Sequence, residues 1–69
     1  MEFYWNDDFS ITVRMDDDAV VISANKAGLQ SLARHLAALA AEEGSGHFHL
    51  DQYKSLEEGS LELIVEKTE

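Results

Sequence analysis

His47-x-His49-x-Asp51 is the stretch of this sequence closest to a chemical site. On an extended strand alternate residues share a face, so the two imidazoles would stand about 6–7 Å apart at Cα, with a carboxylate one step further on. Two neutral imidazoles joined by Asp51 or a neighbouring Glu form a donor set suited to Zn²⁺ or a similar ion. The same residues also read as solvated side chains on an open sheet face, and nothing else in the chain has ligand spacing. His47 and His49 are thus the metal candidates, but no metal site and no cofactor is expected. Glu57, Glu58, Glu62 and Glu66 could pair for acid–base work, although a charged rim accounts for them more simply. His35 lies on the flank of a helical stripe and reads as a boundary residue. Ser55 and Ser60 have no nucleophile motif around them. Gly44-Ser45-Gly46 follows a helix instead of preceding one, so it is not a phosphate cradle. No catalytic residue is assigned, and the chain is not expected to be an enzyme.

The elements that must position these residues follow from periodicity. Leu29, Leu32, Ala33, Leu36, Leu39 and Ala40 recur at i, i+3, i+4, i+7 and predict an amphipathic helix over about 26–43. Asn25 is a good N-cap for it and Gly44 a good residue just past its end. Gln30, Ser31, Arg34 and Ala38 fall on the other side of that helix. Phe9, Ile11, Val13 and Met15 alternate with Ser10, Thr12 and Arg14, which predicts a half-buried strand over 9–15. Asp16-Asp17-Asp18 is a turn, because Asp tolerates left-handed backbone. Val20, Val21 and Ile22 mark a second strand over 19–24, paired to the first as a hairpin, with Val21 on the outer face. Phe48 and Leu50 define a third strand over 47–51. Leu61, Leu63 and Val65 alternate with Glu62, Ile64 and Glu66 in a fourth over 61–67, after a loop from Gln52 to Ser60. The aromatic cluster Phe3-Tyr4-Trp5 either extends the first strand or folds over one end of the core.

The expected fold is therefore α+β, in the order β-β-α-β-β, with a four-stranded, mostly antiparallel sheet and one helix packed on one face. Its predicted core is Leu29, Leu32, Leu36, Leu39, Ile11, Val13, Phe48, Leu50, Leu63 and Val65. One helix covers one face only, so the other face is left to solvent or to a partner. Strand order stays open.

Sixty-nine residues make one domain, 1–69, with room for a single helix-on-sheet core. A deep substrate cleft would remove much of that core, which disfavours an enzyme with a closed site. Fourteen acidic against five basic residues give a formal charge of −9. That charge repels phosphate backbones and anionic lipid, so neither nucleic acid nor membrane is an expected partner, whereas a basic protein is compatible. No cysteine is present, so disulfides and thiolate chemistry are excluded. No signal-peptide pattern and no run of about 20 apolar residues occurs, and a cytoplasmic protein is expected. Charges at the helix ends run against its dipole: Lys26 stands in the first turn, Glu42 and Glu43 in the last. Three aspartates crowd one turn. These placements serve solubility, or else a cationic partner offsets them.

Three longer stretches resemble a known family. Ile22-Ser23-Ala24-Asn25-Lys26-Ala27-Gly28-Leu29-Gln30-Ser31-Leu32-Ala33 is similar to its helix start, with Ala24 where Gly is usual. His47-Phe48-His49-Leu50-Asp51-Gln52-Tyr53 and Ser55 through Lys67 are similar to its ending. Across about Val20 to Lys67 the chain resembles a family of small α+β immunity proteins of bacterial polymorphic-toxin systems, immunity protein family thirty-two. The resemblance implies a cytoplasmic antidote that binds and blocks a cognate toxin. It assigns no binding residues. Charge and alternation single out Asp51, Glu57, Glu58, Glu62, Ile64 and Glu66 as the surface for such a partner, with a basic nuclease as the expected kind of toxin. The alternative is a small structural or adaptor module that homodimerises through its exposed sheet face or an edge strand.

Overall fold

A computed structural model describes residues 5–69 and shows five elements: β1 (Ile11–Asp16), β2 (Ala19–Ala24), α1 (Lys26–Ala41), β3 (Gly46–Leu50) and β4 (Leu63–Lys67). The order β-β-α-β-β is the predicted one. The helix ends two residues early, and β4 begins at Leu63 instead of Leu61. Phe3 and Tyr4 lie outside the described residues.

The strands form two antiparallel pairs, β1 with β2 and β3 with β4, where one four-stranded sheet was expected. The reason lies in the segment before β4. Residues 57–61 run alongside the free edge of β1 without becoming a regular strand. Glu57 N–H donates to Ile11 O at 2.9 Å, and Leu61 N–H donates to Val13 O at 2.9 Å. Between them Ser60 Oγ accepts from Val13 N–H at 3.2 Å. A side-chain oxygen thus stands where a strand would offer a carbonyl, and the ladder is interrupted. Gly59, at φ 88°, makes the bend that brings Ser60 inward. The two pairs are therefore bridged through β1.

The hairpin β1–β2 turns at Asp17, whose φ of 56° lies in the left-handed region that Asp tolerates. The helix starts at a crowded junction. The Asn25 side chain accepts from Gly28 N–H at 2.8 Å as N-cap, and also from Ser10 N–H at 3.0 Å. Its amide donates to Asp8 O at 2.8 Å, while its backbone N–H donates to Ser10 O at 3.1 Å. Three residues on, Gly28 packs so tightly on β1 that a Cβ there would stand 2.4 Å from Ser10 O. At the other end Lys67 Nζ reaches from β4 to the carbonyls of Ala40, at 3.2 Å, and Glu42. A cation from another element thus caps a helix that has no basic residue in its own last turn.

The core consists of Ile11, Val13, Leu32, Leu39, Phe48, Leu50 and Leu56, with Trp5, Phe9, Ala24, Leu63 and Val65 packed against it. The buried helical face is Gly28, Ser31, Leu32, His35 and Leu39. It is rotated from the predicted stripe. Leu29 and Leu36, expected in the core, are 53% and 43% exposed. Ser31 and His35, expected outside or at the boundary, are fully buried. The cause is the N-terminal arm. Asn6 N–H donates to Ser31 Oγ at 2.8 Å, and that hydroxyl donates in turn to Ala27 O at 2.8 Å. Trp5 stacks on Phe9 with centroids 4.6 Å apart and meets the His35 ring edge-on at 4.1 Å. The His35 ring also lies 6.0 Å from that of Phe48. Covered by this arm, a serine and a histidine become core residues. On the opposite flank Leu29 and Leu36 stay open, and Met15, Val20 and Ile22 of the hairpin are exposed as well.

Two measurements follow from this packing. Leu32→Ala removes a buried side chain and should cost about 2–5 kcal/mol, whereas Leu36→Ala should cost less than about 1 kcal/mol. Thermal or urea unfolding of the two variants side by side checks the rotation of the helix. Burial, and secondarily the nearby Arg34 charge, lower the pKa of His35 from its ordinary 6.5. The folded state therefore holds a neutral imidazole. Below about pH 6.5 the unfolded chain takes up that proton first, so stability should be full above this pH and fall as pH drops towards the lowered folded value. Melting temperatures from pH 7.5 to 5 should show this slope, and His35→Phe should flatten it.

Candidate functional site

The β3–β4 pair carries the candidate site on its outer face. Its register sets Phe48 opposite Val65 and Leu50 opposite Leu63, which turns these four towards the core. The alternate residues are then outward by the period of two. His47 lies opposite Glu66, and His49 opposite Ile64. Glu62 reaches His49 diagonally: its Oε2 is 3.1 Å from His49 Nδ1, with both side chains about half exposed. The His47 and His49 rings meet edge-on, with centroids 4.9 Å apart. Ile64, 54% exposed, sits between the two glutamates in sequence and beside the histidines across the pair. The fold thus brings together His47, His49, Glu62, Ile64 and Glu66.

The other sequence-selected acids are placed differently. Asp51 follows β3, and its Oδ1 accepts from Tyr53 N–H at 3.0 Å and Lys54 N–H at 3.1 Å. Its carboxylate therefore organises the turn after β3. Glu57 and Glu58 are exposed on the segment beside β1, where Glu57 Oε1 accepts from Ser10 Oγ at 3.2 Å. The loop itself is ordered by polar contacts that sequence reading left out: Asp51 O accepts from three successive amides, and Gln52 Oε1 accepts from Gly59 N–H at 3.0 Å. Leu56 and Ser60, read as loop, are buried. The available signal was Leu56 itself, a lone apolar residue within a polar stretch.

Chemically, this face offers hydrogen bonds, two carboxylates and one apolar centre. The histidines and Glu62 are close, yet no group of three or more His, Cys, Asp or Glu among the described residues is placed to hold a metal ion. Beside the face lies a shallow open depression lined by Ser45, Gly46, His47, Glu66, Lys67 and Thr68. A broad, open surface of this kind suits a macromolecular partner better than a small substrate, which needs an enclosing pocket. Among the described residues no helix is long and apolar enough to cross a membrane.

No curated protein and no solved structure matches the chain. A sequence profile does: that of the family described as Immunity protein 32 matches residues 19–68, from the start of β2 to one residue past β4. The match spans both strands of the candidate face and the helix that supports them, so the chain belongs to the Immunity protein 32 family.

Proposed function

We propose that this protein neutralises a cognate bacterial toxin by binding it directly, without catalysis, in the cytoplasm. The observation that carries the reading, beside family membership, is the alternation Glu62-Leu63-Ile64-Val65-Glu66 on an exposed strand whose inner residues are held by the core. Ile64 supplies an apolar centre and the glutamates its acidic border, which is the anatomy of a small protein interface. Asp51, Glu57 and Glu58 extend the acidic surroundings. A chain of net charge −9 attracts a basic partner over distance and speeds its association. A nuclease, whose cleft must hold phosphates, presents such a basic surface.

The test uses the toxin encoded beside this gene, titrated at low and high salt. Glu62→Lys with Glu66→Lys should lower the association rate at least about tenfold and flatten its salt dependence, with the melting temperature unchanged. Ile64→Ala should act on the dissociation rate instead. A double reversal that associates as fast as the parent, with the same salt dependence, would remove this face from consideration.

A further inference from the structure

Tyr53 is 86% exposed, more than any other large apolar or aromatic side chain among the described residues. It stands on the tight turn after β3, and that turn is held from several directions. The Asp51 carboxylate accepts from Tyr53 N–H at 3.0 Å and from Lys54 N–H at 3.1 Å. The Asp51 carbonyl accepts from the amides of Lys54, Ser55 and Leu56 at 3.3, 3.0 and 2.8 Å. Gln52 Oε1 accepts from Gly59 N–H at 3.0 Å and closes the loop. Leu56 then enters the core. A ring so open to water adds almost nothing to that core, yet the backbone beneath it is fixed. Such an arrangement lowers what a partner must order on binding, because a tyrosine on a set backbone has only two side-chain torsions left to lose.

We propose that Tyr53 is the anchor of the toxin-binding surface, taking a basic side chain of the toxin against its ring, and that Asp51 is the positioning residue that holds it there. The inference rests on the toxin-binding reading and adds to it a contact beyond the two strands. The turn continues the outer face of β3–β4. Asp51 directly follows Leu50, which pairs with Leu63, so the turn leaves β3 at the end of the face where Glu62 meets His49. From Asp51 to Glu62 the chain carries four carboxylates, Asp51, Glu57, Glu58 and Glu62, against one cation, Lys54. That balance favours a cation at the ring, where the negative face of the aromatic system and the nearby carboxylates act in the same direction. Tyrosine is also among the residues that most often carry the energy of a protein interface. Asp51 acts here through the amides that its carboxylate binds and not through direct contact with the toxin.

Binding kinetics of the full chain against the toxin encoded beside its gene test the assignment. Tyr53→Ala should raise Kd at least about thirtyfold, chiefly through faster dissociation, with the melting temperature unchanged. Tyr53→Phe keeps the ring and should stay within about threefold of the parent. Tyr53→Leu keeps apolar area without a ring and should lose at least about tenfold. Asp51→Ala should weaken binding about fivefold in the parent and not at all in Tyr53→Ala, as two residues acting through one contact require. Asp51→Asn keeps an acceptor oxygen without the charge and should bind close to the parent. The Glu62→Lys, Glu66→Lys double variant, run alongside, separates the anchor from the reading on which it rests. If that double variant weakens binding and Tyr53→Ala does not, the anchor is overturned and the toxin-binding reading stands. A parent chain that does not bind the toxin overturns both. An effect of Asp51→Ala that persists in Tyr53→Ala overturns the positioning role.

Discussion

The architecture depends on the junction at Asn25. One side chain there accepts from the free Gly28 amide in the first turn of the helix and from the amide of Ser10, and donates to Asp8. It thereby ties the N-terminal arm and the start of β1, which are continuous in sequence, to the entrance of α1. Gly28 completes the junction by letting helix and strand backbones approach closely enough for the contact to form. With the helix anchored at this end and held by Lys67 at the other, its rotation about its own axis is decided by whatever covers its flanks.

That division explains what was legible in the sequence. The elements, their order and the hairpin turns follow from local signals: alternation in Phe9 to Met15, the leucine period, the Asn25 cap and the glycines beyond the helix. The inner faces of β1 and β3 were legible for the same reason. The orientation of α1 was not. Leu29 and Leu36 satisfy the helical period as well as Leu32 and Leu39, and only the N-terminal arm decides between the two flanks. Its contacts join residues 25 positions apart. Burial of Ser31 and His35 was equally hidden, because a polar residue enters the core when a distant partner satisfies it. The segment 57–61 is a further case, since its bonds to β1 involve a serine hydroxyl in place of a backbone group.

The site shows the same pattern. Alternation correctly placed His47, His49, Glu62, Ile64 and Glu66 on one face, because the period of two is a property of any strand. The carboxylates of Asp51 and Glu57 were legible as acidic surface, but their local engagements with turn amides and Ser10 depend on loop geometry. Unfavourable helix-end charges also find a local answer: the C-terminal carbonyls of α1 receive a lysine from a strand that follows it by more than twenty residues.

Trp5 gives the molecule an optical property. It is the one tryptophan in the chain, and its indole lies edge-on to a buried imidazole and flat against Phe9. Its emission therefore senses the seating of the N-terminal arm on the helix and the ionisation of His35, from within the native protein and with no label attached. Arm and core share a single fluorophore, so release of the arm can be separated from global unfolding by comparing emission with the far-ultraviolet signal of the strands and helix.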